Sequence, residues 1–403
     1  MSSLKLTNVN MVYPSGETAL YNVNLQAEDR EFLVVFGDDK SGKSSLLRAI
    51  AGLEDVTDGT ISIDDKDVTS VEAKDRDIAM VFKSGTLNAS LSVEDNLAFG
   101  LRLRKAPEAL VKERVKIVSE ILGLSDVLTR KPKVLTAAAK QRAIVGRAVV
   151  REPKIYLFDE PFSGLDEKLK QDMLSVVINL QARLSGTFVY ATKSLSEAMS
   201  IGTRIAVLKN GFVQQIDLPE NLYDYPSNEF VAFTIGSPTV NFIRKVKITL
   251  ENGVYYGVNG SFKLEIPQNI VARFENISEY VDSDKYVTLG LRPEDLKISK
   301  EGEISAKASK ADEGKKFAEC EVTPDICLNV TTNGEVSRSA EVSIAADLSK
   351  LLIFDGQTAL TLLKRDGGYK LNSYADSQFM PMPKADEQSI HESLNPKKQV
   401  KKK

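Results

Sequence analysis

The sequence predicts an α/β protein: a parallel sheet with helices on both faces, interrupted by a helical insertion and followed by a smaller β-rich domain. Apolar strand-like runs alternate with helical patterns up to about residue 235, which is typical of parallel sheets with helical crossovers. Residues 92–152 are almost wholly helical in pattern, and the helical signal largely vanishes from residue 236 onward. We therefore predict domains at 1–235 and 236–373, a helical subdomain at 92–152, and a disordered basic tail at 374–403.

The first part of the chain reads as short strands separated by turns. Residues 4–9 and 23–25 alternate between apolar and polar side chains, as half-buried strands do. Residues 32–36 are wholly apolar, which indicates a strand buried on both faces. A helical pattern starts near Ser45 and is expected to end at Gly52. Further strands are predicted at residues 59–64 and 78–82.

Between the buried strand and the first helix lies a glycine-rich loop. It consists of Gly37, Asp38, Asp39, Lys40, Ser41, Gly42, Lys43 and Ser44, and Ser45 follows it. This G-x-x-x-x-G-K-[ST] pattern, set between a strand and a helix, predicts a phosphate site lined by backbone N–H groups. In such sites the lysine neutralises the β- and γ-phosphates and the last hydroxyl binds Mg²⁺. Asp38 and Asp39 are unusual, because they place two acids where an anionic ligand is expected.

The block at 92–152 predicts three helices. Ser92 with Asp95 resembles a capping box, and Pro107 precedes a second helix with an apolar stripe. Thr136 is a plausible N-cap for a third helix that is rich in alanine. These three patterns follow one another without an intervening strand, which indicates an insertion into the sheet.

The sheet resumes with an apolar strand at residues 155–160 that ends in Asp159 and Glu160. After a phosphate loop, such acids predict the second half of a nucleotide site. Asp159 can reach the Mg²⁺ shell, and Glu160 can accept a proton from an attacking water. A helix at 167–184 follows, then a strand at 187–192, a short helix near 196–199, and a last strand of this part at 204–208.

The C-terminal part reads as a small β-barrel-like domain. Short strand-like runs are spaced by Gly, Asn and Asp; they fall at residues 255–258, 287–291 and 360–363. The polar end of the chain finishes in a lysine-rich stretch, interpreted as solvated, with attraction to an anionic membrane face as the less favoured alternative.

Composition narrows the function classes. A net charge of −3 gives no indication of nucleic acid as a partner. No apolar run is long enough for a membrane span and no secretion signal is recognisable, so a cytoplasmic protein is expected. Cys320 and Cys327 fit no zinc or redox spacing. The only histidine, His391, lies in the polar tail, which excludes any mechanism that needs a histidine in a folded domain.

Taken together, the motifs resemble those of the ATP-binding subunits of ABC transporters, specifically the sugar-importer group of the maltose, multiple-sugar and glycerol-phosphate type. Residues 37–44 resemble the Walker A loop and 157–160 the Walker B strand, and Tyr13 lies where this family stacks an aromatic ring on adenine. Other colinear matches lie at 131–135, 146–148, 161–166, 197–199, 236–238 and 290–294, the last two typical of the group's OB-like regulatory domain.

The resemblance covers roughly residues 3–370. It implies an ABC-type P-loop fold that binds ATP and Mg²⁺ at a dimer interface, with Ser44 and Asp159 as metal ligands. It also implies partners: a second ATPase subunit, two integral membrane permease subunits and, indirectly, an external solute-binding protein. The expected place is the cytoplasmic face of the cell membrane. The solute itself does not follow from this subunit.

The sequence departs from the family pattern at groups that contact γ-phosphate, water or Mg²⁺. Lys83 replaces a glutamine that touches Mg²⁺ and the attacking water, and lysine has no acceptor atom. Lys193 replaces a histidine that contacts the γ-phosphate. The signature Leu-Ser-Gly-Gly-Gln is present as residues 135–139, where Thr136 keeps a hydroxyl. Ala137 and Ala138 replace two glycines that let the partner's γ-phosphate approach the backbone. Asp38 and Asp39 add repulsion near the phosphates, offset by Lys40 and outward orientations.

These departures predict a subunit that holds ATP but hydrolyses it poorly, with Glu160 as the general base if hydrolysis survives. They fall on both sites of any pair, so we expect a heterodimer with a more complete ATPase. Two alternatives stay open. The chain could be an active enzyme of the same family with altered contacts. It could also be a regulatory or scaffolding protein without a transport role, which the altered permease-docking stretch at 84–90 would suit.

Overall fold

The computed structural model describes residues 2–260, 262–300, 302–311, 317–332, 337 and 339–365. Two compact units are distinguished, one ending at Thr239 and the other beginning at Val240. The predicted basic tail at 374–403 lies outside the described residues. Among the described helices, none has both the length and the apolar character needed to cross a membrane.

The first unit contains two sheets. Its strands are β1 (Leu4–Val12), β2 (Thr18–Ala27), β3 (Phe32–Phe36), β4 (Asp58–Ile63), β5 (Lys66–Asp67), β6 (Ile78–Val81), β7 (Ile155–Asp159), β8 (Thr187–Thr192), β9 (Arg204–Lys209) and β10 (Phe212–Asp217). A four-stranded antiparallel sheet has the order β2-β1-β4-β5. A six-stranded sheet has the order β10-β9-β3-β8-β7-β6, and all its pairs are parallel except that of β9 with β10.

Helices pack around the six-stranded sheet. They are α1 (Lys43–Ala51), α2 (Val93–Leu103), α3 (Glu108–Ile121), α4 (Ala137–Val149), α5 (Glu167–Arg183), α6 (Leu195–Ile201), α7 (Pro219–Asp224) and α8 (Glu229–Thr234). The helical block lies between β6 and β7 as α2, α3 and α4, so the prediction of an α/β sheet with a helical insertion is confirmed. Ser92 caps α2 by accepting from the N–H of Asp95, and Thr136 caps α4 by accepting from the N–H of Ala139.

The central strand β3 explains why the sequence there is apolar without alternation. Phe32, Val34 and Phe36 face a core shared with the helical block and α5, whereas Leu33 and Val35 face a second core shared with α1 and the four-stranded sheet. All five side chains are buried. A strand with both faces covered has no solvent side on which polar residues would be favoured.

The second unit contains a five-stranded sheet and a closed barrel. Its elements are β11 (Asn241–Glu251), β12 (Val254–Asn259), β13 (Phe262–Glu265), α9 (Gln268–Arg273), β14 (Val287–Leu291), β15 (Leu296–Ile298), β16 (Ile304–Ala311), β17 (Phe317–Thr323), β18 (Ile326–Thr331), β19 (Glu341–Ala346) and β20 (Leu352–Asp355). The sheet has the order β13-β12-β11-β14-β20, and the barrel the order β15-β18-β17-β16-β19. The predicted small barrel is therefore confirmed, and the sheet beside it was not foreseen.

Two strand predictions are wrong. Residues 204–208 are not the last strand of the first unit, because β10 follows through a turn at Asn210 and Gly211, both with positive φ. An Asn-Gly pair is a strong hairpin signal that the polar character of Gln214 and Gln215 obscured. Residues 360–363 form no regular strand; they make only isolated bridges, of which one joins Thr361 to Phe354.

Candidate functional site

Most of the predicted site residues converge at one edge of the six-stranded sheet. The neighbouring strands β3, β8, β7 and β6 run parallel, so their carboxyl ends lie side by side. The loop at 37–44 follows β3, Lys193 follows β8, and Glu160 follows β7, while Lys83 lies two residues beyond β6. Ligand sites of open α/β sheets form at this edge. Residues far apart in sequence therefore meet because of strand order.

The loop backbone requires glycine at two positions. A Cβ on Gly37 would lie 2.4 Å from the carbonyl oxygen of Leu208, closer than any real contact. Gly42 has a φ of 102°, and a Cβ there would lie 2.9 Å from the carbonyl oxygen of Ala19. Gly42 is also the N-cap of α1, whose first N–H groups have no partner within the helix. The loop therefore forms a narrow cradle at a helix N-terminus, which suits phosphate.

Lys43 lies across this cradle. Its Nζ donates to the carbonyl oxygens of Gly37 and Asp38 at 2.7 Å each and to Oγ of Ser41 at 3.3 Å. Burial lowers the pKa of Lys43, and the nearby carboxylate of Glu160 opposes that change. A buried ammonium that is held by two carbonyls, one hydroxyl and one carboxylate at 3.8 Å is well prepared for an incoming anion.

Ser44 and Asp159 meet beside the loop. The Ser44 hydroxyl donates to Oδ1 of Asp159 at 2.8 Å, and the carboxylate is buried. Burial raises the pKa of Asp159, and the hydrogen bond from Ser44 partly offsets that rise. Two oxygen donors side by side suit Mg²⁺, which proteins bind through one or two such groups together with water and phosphate oxygens.

Glu160 lies between two ammonium groups. Its Oε2 is 2.8 Å from Nζ of Lys83, and its Oε1 is 3.8 Å from Nζ of Lys43. The bond to Glu160 raises the pKa of Lys83. Glu160 is buried and has a φ of 42°, a left-handed backbone conformation that costs about 1–3 kcal/mol for a residue with a side chain. The carboxylate is therefore held in place and neutralised on both oxygens.

Lys193 makes a third ion pair at the site. Its Nζ is 2.9 Å from Oδ2 of Asp39, and both side chains are exposed. The hydrogen bond from Lys193 lowers the pKa of Asp39. The charge of Asp39 is thus compensated by the lysine that replaces the expected histidine, whereas the sequence had suggested Lys40 for that role. Asp38 and Lys40 lie exposed on the loop.

Tyr13 is half-buried and contacts the start of α1. Its hydroxyl lies 2.8 Å from Oγ of Ser45, the residue that follows the loop. This hydrogen bond fixes the ring beside the phosphate cradle.

Thr136 and Ala138 are not brought into contact with the loop. They lie at the start of α4, where Thr136 is exposed and Ala138 half-buried. Further along the same helix, the amide of Gln141 donates to the carbonyl oxygen of Pro161 at 2.8 Å, and Arg147 donates to that of Thr86 at 2.6 Å. The helix is thereby joined to the segments that follow Glu160 and Lys83.

One polar network near the site was not predicted from the sequence. The buried carboxylate of Glu197 accepts hydrogen bonds from the hydroxyls of Tyr190 at 3.0 Å and Thr192 at 2.7 Å. Thr192 also accepts from the N–H of Ser194, so the network fixes the backbone on both sides of Lys193. Glu197 entered the sequence analysis only as part of a matching triplet, since nothing in a Leu-Ser-Glu pattern marks an acid as buried.

The site fits ATP well and Mg²⁺ only in part. The glycine cradle and Lys43 suit the phosphates, and Ser44 with Asp159 supplies two metal ligands. Lys83 lies where a third neutral acceptor is expected, and its ammonium has no lone pair to offer a cation.

Comparison with known proteins places this geometry in context. A family model described as "ABC transporter" matches residues 20–163. The oligosaccharides import ATP-binding protein MsmX of Bacillus subtilis is 37% identical over 373 residues, covering 90% of this chain and 100% of that protein. The diacetylchitobiose uptake system ATP-binding protein MsiK of Streptomyces coelicolor is 39% identical over 343 residues, covering 85% and 88%.

Two further similarities extend the comparison. The osmoprotective compounds uptake ATP-binding protein GgtA of Synechocystis is 42% identical over 278 residues, covering 69% of this chain and 74% of that protein. Among solved structures, cbiO1 of Clostridium perfringens, described as part of the ABC transporter complex cbiONQ, matches with a TM-score of 0.51 and 24% identity. It covers 55% of this chain and 90% of its own, and it supports the fold alone.

Proposed function

This chain belongs to the ATP-binding proteins of ABC transporters, and on that basis we propose that it is the nucleotide-binding subunit of a carbohydrate importer at the cytoplasmic face of the membrane. Relatives that serve oligosaccharide and diacetylchitobiose uptake support the solute class. A relative that serves osmoprotective compounds indicates that solutes vary among such subunits. We therefore expect other components of the transporter to determine which solute is carried.

Within this role, the subunit binds ATP and hydrolyses it poorly. Tyr13 would stack on the base, the loop at 37–44 would hold the phosphates, and Ser44 with Asp159 would hold Mg²⁺. When bound, Mg²⁺ offsets phosphate charge at this edge of the sheet. These assignments rest on the loop geometry and on the 2.8 Å bond between Ser44 and Asp159.

The single observation that supports poor hydrolysis is the ion pair between Lys83 and Glu160, 2.8 Å long. A general base must accept a proton from water, and its carboxylate needs a free oxygen within reach of that water. Here one oxygen accepts from Lys83 and the other faces Lys43.

Phosphate release from the purified transporter complex tests this proposal. We expect the wild-type chain to release phosphate no faster than its Glu160→Gln variant, because the carboxylate contributes little when paired. The Lys83→Gln variant frees one carboxylate oxygen and is expected to gain activity that Glu160→Gln abolishes. Efficient hydrolysis by the wild type that is lost in Glu160→Gln would identify an active ATPase of the same family instead.

We further propose a heterodimer with a more complete ATPase subunit. Sites of this family combine the loop of one subunit with the signature helix of the other. In a homodimer, both sites would contain Lys83, Lys193 and the altered signature at 135–139 together. With an intact partner, the site that uses the partner's loop would lack only the signature. The subunit composition of the native complex decides: two copies of this chain with robust ATPase activity would exclude the heterodimer.

The permease is proposed to dock in a groove beside Lys83. The groove encloses about 210 Å³ and is lined by residues from β6, the segment after it, α2 and α4. Phe82 and Phe99 contribute exposed aromatic surface, and Arg147 and Arg151 contribute positive charge. An amphipathic segment with an acidic residue would match this combination. Co-purification with the permease should be lost in Phe99→Ser and retained in Leu218→Ser, a comparable change at an exposed apolar residue of the first unit that does not line the groove.

A further inference from the structure

Four acidic side chains and four lysines lie on the loop or at the ends of the neighbouring strands. They are Asp38, Asp39, Asp159 and Glu160 on one side and Lys40, Lys43, Lys83 and Lys193 on the other. Glutamine and histidine at the positions of Lys83 and Lys193 would be uncharged or largely so. The two lysines therefore add two positive charges, which is the charge of one Mg²⁺.

Glu160 shows how close one of these added charges lies to the phosphate cradle. Its carboxylate lies 2.8 Å from Nζ of Lys83 and 3.8 Å from Nζ of Lys43, so the two ammonium groups contact different oxygens of one carboxyl group. Lys43 is the group that faces the phosphates. Because an ammonium has three donors, Lys83 can contact a phosphate oxygen while it remains bonded to Glu160.

The metal ligands of the chain itself are few. Within the described ranges, no cluster of three or more His, Cys, Asp or Glu side chains could hold a metal ion alone. Ser44 and Asp159 offer two oxygens, and the nearby ammonium of Lys83 repels a cation instead of binding it. The same ammonium attracts phosphate oxygens, so the replacement acts in opposite directions on the two components of MgATP.

We propose that this site binds ATP without depending on Mg²⁺, because Lys83 supplies to the terminal phosphates positive charge that the metal supplies elsewhere. The inference rests on the proposed ATP-binding function and adds the form of ligand: a nucleoside triphosphate with or without bound metal. A subunit of this kind keeps nucleotide bound when Mg²⁺ is absent, and it does so without any hydrolytic step.

The test is a binding measurement on the full chain with adenylyl imidodiphosphate, an ATP analogue that is not hydrolysed. Calorimetric titrations are run at constant ionic strength, with excess Mg²⁺ or with excess EDTA. For the wild type we expect affinities that differ by less than about threefold between the two conditions. For Lys83→Gln we expect the affinity in EDTA to fall about tenfold below that in Mg²⁺, the effect of one charge-assisted hydrogen bond.

Two further variants separate the charge of Lys83 from general effects. Lys83→Arg keeps the cation and should behave as the wild type does. Lys112→Gln removes an exposed lysine on α3 and should leave both affinities unchanged. If the wild type shows the same metal dependence as Lys83→Gln, the inference is wrong. If the wild type fails to bind the analogue in both conditions, the proposed ATP-binding function is wrong instead.

Discussion

The two halves of the site differ in how their side chains are stabilised. In the binding half, the loop, Lys43, Ser44 and Tyr13 are held by short hydrogen bonds to neutral groups or to a single carboxylate. In the hydrolytic half, Lys83 and Lys193 each form an ion pair with an acid of the site. The first arrangement leaves charge available for an anion. The second pairs each lysine with an acid at the positions where hydrolytic residues are expected, so binding and hydrolysis are separable.

The largest effect is expected from a change in the binding half. Lys43→Ala removes the buried ammonium that faces the phosphates and also leaves the carbonyl groups of Gly37 and Asp38 without their donor. Hydrogen bonds to charged groups contribute about 1.5–3 kcal/mol, so ATP affinity should fall roughly tenfold to a hundredfold. Titration with ATP measures this loss of affinity, and Lys112→Ala serves as a control at an exposed lysine. An unchanged affinity would remove Lys43 from the site.

The adenine platform gives a second comparison within the binding half. Tyr13→Ala removes the ring and should lower the affinity for ATP about tenfold, since stacking of a base on an aromatic ring contributes ~1–3 kcal/mol. Tyr13→Phe removes only the hydrogen bond to Ser45, which is 2.8 Å long, and should lower the affinity for ATP about threefold. The same titration applied to a triphosphate without a base should show no difference between the variants. Equal losses for Phe and Ala would assign the whole effect to the hydroxyl.

Changes in the signature helix should affect stability instead of nucleotide affinity. Thr136 caps α4 by accepting from the N–H of Ala139 at 3.2 Å, and loss of such a cap costs about 1 kcal/mol. Thr136→Ala should therefore lower the melting temperature by roughly 2–4 °C. Thr136→Ser keeps the hydroxyl and should melt as the wild type does. A loss of ATP affinity in the isolated chain would show that Thr136 belongs to its own site, contrary to its position in the structure.

The sequence predicted the binding half more fully than the hydrolytic half. A phosphate loop is a local pattern, and the apolar runs on either side of it specify the strand and the helix directly. The ion pairs of Lys83 and Lys193 join residues that are 77 and 154 positions apart. Such pairs depend on strand order, which cannot be read from a single sequence. The loss of glutamine and histidine was therefore visible, but the partners of the new lysines were not.

The burial of Glu197 illustrates the same limit. Its short helix begins with Leu195, Ser196 and Glu197 after the cap Ser194, and two serines beside an acid are a polar surface pattern. Only the packing of β8 against α6 places the carboxylate over the hydroxyls of Tyr190 and Thr192. A local pattern indicates which residues favour water on average. Whether an acid can be buried depends on the hydrogen-bond donors that surround it in the fold.

The smallest expected effect concerns the exposed pair of Lys193 and Asp39. Lys193→Gln should lower the affinity for ATP and Asp39→Asn should raise it. Each change should be less than about threefold, because solvent and salt screen exposed charges. The double variant should bind ATP more nearly as the wild type does, since the two changes offset each other's charge.

Because Lys193 lowers the pKa of Asp39, the ion pair should persist as pH falls until that lowered pKa is reached. In Lys193→Gln, carbon-13 NMR of the Asp39 carboxyl should then show titration at higher pH than in the wild type. An unchanged titration midpoint would mean that the pair is not formed in solution, and the contrast between the two halves of the site would then rest on Lys83 and Glu160 alone.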